Sequence, residues 1–489
     1  MSESVETIRL SDELGPVDYL LHRGEANPRT RSGIMALELL DTTPDWEQFR
    51  ARFEGASRRV LRLRQKVVVP TLPTAAPRWV VDPDFNLDFH VRRVRVSEPG
   101  TLREVFDLAE VTLQSPMDIS RPLWTATLVE GLADGKAATL LHVSHAVTDG
   151  VGGVQMFSEI YDLERNPPAK PTLPLPVPQD LSSNDLMRQG INHLPFAVVG
   201  GVMNALSGAV SAAGRAVLEP TATVSGIVGY AMSGMRVLNR AAEPSPLLRR
   251  RSLATRSEAI DIPLADLHKA AKAGGGSIND AYLAGLCGAL RRYHQAFGVP
   301  INTLPMAVPV NLRAEADTAG GNRFTGVNLA APIGTVDPVS RMKKIRAQMT
   351  QRRDEPAMNI IGSFAPVLSV LPTAVLEGIT GSVIGSDVQA SNVPVFPGDT
   401  FIAGAKVLRQ YGIGPLPGVA MMVVLISRGG WCTITVRYDR AAVRNEALFA
   451  QCLLEGFDEI LALAGDPPTR AVPASFVEPA VSSRSAASS

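Results

Sequence analysis

The sequence predicts an α/β protein made of two mixed strand-and-helix regions joined by a helical linker. Three observations lead there. Helix-spaced apolar positions alternate with short strand-like runs up to about residue 165, and the alternation resumes after about residue 250. Between Pro167 and Pro178, six of twelve residues are proline, the composition of an extended connector. The 489 residues hold about two to four domains at roughly 100–200 residues each.

Each element has its own reason. From Trp46 to Arg64 the residues Phe49, Phe53 and Val60 fall at helical spacing, and Val67-Val68-Val69 reads as a short strand. Leu128-Val129 and Thr139-Leu140-Leu141 read as further strands, the second running directly into two histidines. After Gly150 the period changes, with Val151, Val154, Phe157, Ile160 and Tyr161 on one helical face. The proline run then closes a first domain, residues 1–165. Residues 166–250 form the linker, its later part rich in small residues and helical in pattern. In the second domain, residues 251–470, Asp280 to Phe297 is a helix with Leu283, Leu286 and Leu290 three and four apart. Met306 to Val310 is a short apolar run, and Val419 to Ile426 and Trp431 to Tyr438 flank Gly429-Gly430 as a hairpin. Glu446 to Leu463 is a closing helix, stopped by Gly465 and Pro467-Pro468. The Ser/Ala-rich tail, residues 471–489, reads as disordered.

Composition narrows the function. Lys plus Arg and Asp plus Glu are equal at 48 each, so no global field draws the chain to nucleic acid. Cys287, Cys432 and Cys452 stand far apart, which argues against a disulfide framework and a structural zinc and fits a reducing compartment. The start Met-Ser-Glu-Ser-Val-Glu has no basic and then apolar pattern, so a cytoplasmic protein is expected. From His193 to Gly214 there is no charged residue, but glycines and Asn204 dilute the run too far for a good spanning helix. A buried or amphipathic linker fits it best, with peripheral contact at the inner membrane face or a lipid-droplet surface as the second expectation. Oligomeric state leaves no trace in the sequence.

The chemistry is expected in Leu140-Leu-His-Val-Ser-His-Ala-Val-Thr-Asp-Gly150. An apolar run enters, a Thr-Asp-Gly turn leaves and a helix follows, placing His145 where a sheet opens onto a cleft. An imidazole there suits proton abstraction at neutral pH. Asp149 either orients the loop or ring or caps the next helix, and Gly150 permits a tight turn. A structural histidine fits the same pattern.

His145-x-x-x-Asp149-Gly150 is similar to the active-site motif of acyltransferases with the chloramphenicol-acetyltransferase-like fold. The chain more narrowly resembles the bacterial wax ester synthase/diacylglycerol acyltransferase family. The matching segments, in order, are Arg121-Pro122-Leu123-Trp124, Asn279-Asp280, Pro309-Val310-Asn311-Leu312-Arg313, Gly321-Asn322 and Ser391-Asn392-Val393-Pro394, over roughly residues 10–465. The resemblance implies two chloramphenicol-acetyltransferase-like domains with an active-site channel between them. It implies acyl-CoA as co-substrate, a hydroxyl-bearing lipid as acceptor and no further cofactor. His145 would take the acceptor proton, the alkoxide would attack the thioester, and the imidazolium would protonate the CoA sulfur. Asp149 then belongs to the catalytic loop, Gly150, Asn279, Ser391 and Asn392 to substrate binding, and Asn279 is the guess for an oxyanion donor. Arg313 is expected to pair with Asp149, Asp280 to complete a capping box with Ser277, and Trp124 to anchor the core.

The chain departs from the family pattern at three places. Ser144 stands where the family has a first histidine, and strand alternation points it away from the site. His142, by its register relative to Ser144, is expected elsewhere and unable to replace the missing ring. Val395-Phe396 stands where Gly-Pro is usual, and Arg428 where a tyrosine is common. These leave open a repurposed or inactive paralogue that binds acyl lipids, and a condensing enzyme using carrier-protein thioesters. No Gly-x-Ser-x-Gly elbow or His-Glu-x-x-His helix occurs, and Gly274-Gly-Gly lacks the lysine of a phosphate loop.

Overall fold

The computed structural model describes residues 10–72, 74–148, 150–168, 171, 173–193, 241–311, 324–353, 386–465 and 467–475. Its strands are β1 (Gly33–Leu40), β2 (Gln65–Val68), β3 (Arg78–Val81), β4 (Val91–Arg95), β5 (Trp124–Glu130), β6 (Ala137–Ser144), β7 (Thr255–Pro263) and β8 (Leu304–Asn311). They continue with β9 (Phe324–Ala331), β10 (Val388–Val393), β11 (Phe401–Ile402), β12 (Ala405–Ile413), β13 (Met421–Arg428), β14 (Trp431–Asp439) and β15 (Val472–Pro473). Two large sheets result. One has six strands in the order β11-β12-β1-β6-β5-β4, the other seven in the order β15-β7-β14-β13-β10-β8-β9.

β6 is the spine of the first sheet. All eight of its residues are buried, which is why Ala-Ala-Thr-Leu-Leu-His-Val-Ser lacks the polar alternation of a half-exposed strand. It pairs antiparallel with β1 on one side and β5 on the other. Helix Trp46–Arg59, capped by the Asp45 carboxylate on the Gln48 N–H, buries Phe49 and Phe53 against this sheet's core. In the second sheet, β10 runs parallel to both β8 and β13, and the buried helices Ile278–Ala296 and Glu446–Leu461 cover one face.

One connection crosses between the halves. Residues 401–413 belong by sequence to the C-terminal half, yet β12 pairs antiparallel with β1, Leu37 opposite Tyr411 and Glu38 opposite Gln410. The chain then returns to the second sheet as β13. A division of the sequence into 1–165, 166–250 and 251–470 does not foresee this strand. The disordered tail also needs correction: β15 pairs with β7, and the Ser475 hydroxyl donates to Glu258 (2.8 Å) while accepting from the Ala259 N–H (2.8 Å). Residues 476–489 lie outside the described residues, as does most of the apolar run from His193. Among the described residues, no helix is long and apolar enough to cross a membrane.

Candidate active site

β6 ends at Ser144, and the chain turns at once, the Val147 N–H returning to the Ser144 carbonyl (3.0 Å). The His145 N–H donates to the Ser32 carbonyl (3.3 Å), so the backbone of the turn is tied to the start of β1. His145, half-buried, opens onto a cavity of about 420 Å³. One wall comes from the first sheet, including Ile34, Leu141 and Val143; the other comes from the second, including Met422, Val424 and Ile426. The lining is largely apolar, suited to a hydrocarbon chain.

The crossover strand makes this cavity possible. A Cβ at Gly412 would lie 2.8 Å from Val424 Cγ1, and one at Gly414 would lie 2.6 Å from Met422 Cγ. Glycine at both places lets β12 and the residue just after it approach β13 across the seam of the two sheets.

The opposite face of β6 is a different environment. Ser144, fully buried, donates its hydroxyl to Glu25 Oε1 (2.7 Å), and Ser32 donates to the same oxygen (3.2 Å). Burial pushes the Glu25 carboxyl above the usual carboxylate range, the two hydroxyls opposing the shift. His142 lies on this same face, contrary to the register expectation: a two-residue offset in a strand keeps side chains on one side. Its partner across β1 is Met35, next but one to Gly33, whose missing Cβ leaves room for the imidazole, 2.5 Å from where that atom would be. Burial lowers the His142 pKa to about 3, so the ring stays neutral.

The other expected site residues fall into three groups. Ser391 and Asn392 line the same cavity as His145, as do Pro309 and Thr148. Gly150 opens helix Gly150–Met156, which directly follows the histidine turn, while Asp149 and Arg313 lie outside the described residues, with their expected pairing. Asn279 sits in the first turn of helix Ile278–Ala296 and does not line the cavity. Asp280 beside it forms the capping box, accepting from the Ser277 N–H (2.8 Å) while Ser277 accepts from its own N–H (3.2 Å). Trp124 is core: its indole N–H donates to the Leu63 carbonyl (2.7 Å), and its ring stacks on Phe53 and His90.

Two features escaped the sequence. The far end of the cavity is polar, where Tyr161 and Thr139 donate to the buried Glu38 and Arg428 donates to Gln410 (2.7 Å). Only Arg428 carried a signal, as a departure from the family pattern. The second is a cleft of about 430 Å³ lined by Arg29, Arg31, Arg249, Arg251 and Arg437. Its acid, Asp439, is taken up by the Ser252 N–H and hydroxyl and the Ala441 N–H. Glu110 pairs with Arg437 (3.1 Å), but among the described residues Arg29 and Arg249 make no ion pair. Cleft and cavity share their dividing segments: Ile34 and Pro415 face the cavity, Arg31 and Leu416 the cleft.

Two mixed sheets meeting over an apolar cavity give the chloramphenicol-acetyltransferase-like fold. The family model described as the wax ester synthase/diacylglycerol acyltransferase catalytic domain matches residues 9–282, and the WS/DGAT C-terminal domain matches residues 320–461. The chain belongs to the wax ester synthase/diacylglycerol acyltransferase family and is an acyltransferase of that type. It is 86% identical over 476 residues, 97% of each chain, to a Mycobacterium tuberculosis protein named "Putative diacyglycerol O-acyltransferase Rv2484c". Its fold is similar to that of the wax ester synthase/diacylglycerol acyltransferase from Marinobacter aquaeolei, with a TM-score of 0.64 at 19% identity, covering 93% of this chain and 100% of that one. The first condensation domain of the calcium-dependent antibiotic synthetase has the same fold, with a TM-score of 0.56 at 15% identity over 95% and 99% of the two chains. At such identities the likeness concerns fold alone.

Proposed function

We propose that the protein transfers a long-chain acyl group from acyl-CoA to the hydroxyl of diacylglycerol, and to long-chain alcohols, with His145 as general base. The observation that carries this is the placement of His145 where a fully buried strand ends against an apolar cavity between the sheets. The imidazole accepts the acceptor's hydroxyl proton as its oxygen attacks the thioester carbonyl, then returns that proton to the departing CoA sulfur. No covalent enzyme intermediate, metal or prosthetic group is needed. General-base help of this kind is worth roughly 10²–10⁴-fold, and a walled channel adds positioning.

The cationic cleft supports a donor carrying phosphates. Exposed Arg29 and Arg249 have no protein carboxylate to pair with among the described residues, and guanidinium groups bind phosphate oxygens in pairs. A thioester reaching between segments 31–34 and 414–417 would have its phosphates in the cleft and its acyl carbon beside His145. The apolar run from His193 is our candidate for contact with a membrane or lipid-droplet surface. Purified protein given labelled palmitoyl-CoA and diacylglycerol should form labelled triacylglycerol, and His145→Ala should abolish it. Undiminished transfer by that variant contradicts the mechanism; transfer only from carrier-protein thioesters contradicts the donor.

A further inference from the structure

The cavity is apolar along most of its length and then ends in charge. The register gives its axis. Ile34 stands opposite Val143, Ala36 opposite Leu141 and Gly412, and Glu38 opposite Thr139 and Gln410. His145 lies beyond the first of these rungs, and Arg428, hydrogen-bonded to Gln410, lies at the last. From Ser144 to Thr139 the strand advances five residues, about 17 Å at roughly 3.3 Å each. At about 1.2 Å per bond, as in an extended backbone, a chain spanning that distance has roughly 14 bonds.

Arg428 at this end lies with its guanidinium over the Tyr161 ring, 5.1 Å from its centroid, and still has hydrogen-bond donors to spare. It is 7% exposed, and its Nη1 donates to Gln410 Oε1 (2.7 Å). Its Nε and Nη2 have no hydrogen-bond partner among the described residues. The Glu38 carboxyl stands 3.9 Å away but is itself occupied by the Tyr161 and Thr139 hydroxyls, and burial pushes it above the usual carboxylate range, with Arg428 opposing the shift. The Thr400 hydroxyl, 2% exposed and lining the same cavity, is also without a partner among the described residues. Buried N–H groups are almost always paired, so several unused ones along a ligand channel point to a ligand that supplies acceptors. A plain methyl end would leave them unsatisfied.

We propose that Arg428, with Gln410 and Thr400, is a specificity site for a substrate chain bearing a neutral oxygen function, a hydroxyl, keto or ester oxygen, roughly 14 bonds from the reacting carbon. A ligand carboxylate would have to share Arg428 with the Glu38 carboxyl 3.9 Å away, whereas a neutral oxygen needs only the spare N–H groups. The acyl-transfer reading supplies only what happens at the other end of the chain.

The test uses the full-length protein and three acceptors of equal length, about 14 carbons: a saturated primary alcohol, its α,ω-diol and its ω-carboxylate. The wild type should show a kcat/KM for the diol at least tenfold above the plain alcohol, and Arg428→Met should bring the ratio to about one. Each acceptor's shift of the melting temperature is read in parallel, so binding is measured independently of turnover. A larger shift with the diol, lost in Arg428→Met, together with no transfer to any acceptor, supports the specificity site and overturns the acyl-transfer reading. Equal shifts for diol and plain alcohol, a preference for the carboxylate, or a diol preference that survives Arg428→Met overturns the proposal. Should Arg428→Met unfold by stranding Glu38, Glu38→Gln/Arg428→Met removes both charges and gives the same readout.

Discussion

The two faces of β6 carry alternate residues of one short strand, yet they face different solvents. Leu141 and Val143 look into a channel that continues to His145, whereas His142 and Ser144 look into a packed interior around Glu25. The cavity face borders open space. The other face holds neutral imidazole and a carboxyl reluctant to ionise, both set by desolvation. The family's first histidine falls at position 144, on the interior face. Serine there therefore alters what holds the histidine turn and leaves the proposed general base, His145, in place.

The largest contrast should come from the cavity face: His145→Ala is expected to lower turnover roughly 10²–10⁴-fold with little change in melting temperature, because the ring is half-buried and outside the core.

The next expectation concerns acid and the buried histidines, of which His142 is the one on the interior face. Burial lowers the pKa of His22 and His90 to about 4 and of His142 to about 3, against 6.5 when unfolded. Below about pH 6.5 the unfolded chain binds protons that the folded chain refuses, so stability present above that pH is lost as it falls. At about pH 5 each ring costs roughly 2 kcal/mol, at about 1.36 kcal/mol per pH unit. His142→Leu should shrink the difference between urea midpoints at neutral pH and pH 5, whatever it does at neutrality.

Ser144→Ala should cost about 1–3 kcal/mol in urea unfolding, because it removes a donor from a buried carboxyl, and should leave turnover within a few-fold. The smallest effect is expected of Glu25→Gln. Its raised pKa has the opposite sign: stability is lost as pH rises from the usual carboxylate range through the folded value. The amide should thus stabilise the protein at neutral pH, an advantage that fades below about pH 4.3, the ordinary glutamate value. No pH dependence of the difference between variant and wild type contradicts a reluctantly ionised Glu25.

Legibility in the sequence followed the same division. β6, the histidine turn and the helix after it were readable because each is a local pattern: an apolar run, a Thr-Asp-Gly turn, a change of period. The capping box at Ser277 and Asp280 was readable for the same reason. β1 and β12 were not read, because neither declares itself. β12 carries Lys406 and Arg409, satisfied by Asp399 and Asp261, and pairs with a strand from the far end of the chain. Glu25 meets Ser144 across 119 positions, a contact that no spacing rule reaches. His142 shares the face of Ser144 because a two-residue offset keeps strand side chains on one side.

Acyl transfer by His145→Ala and Ser144→Ala, measured side by side with one acyl-CoA and one acceptor, tests most directly whether the reacting face is the cavity face. A loss of roughly 10²–10⁴-fold confined to the first variant is the expected result. Comparable losses in both, or a loss in Ser144→Ala alone, would contradict it.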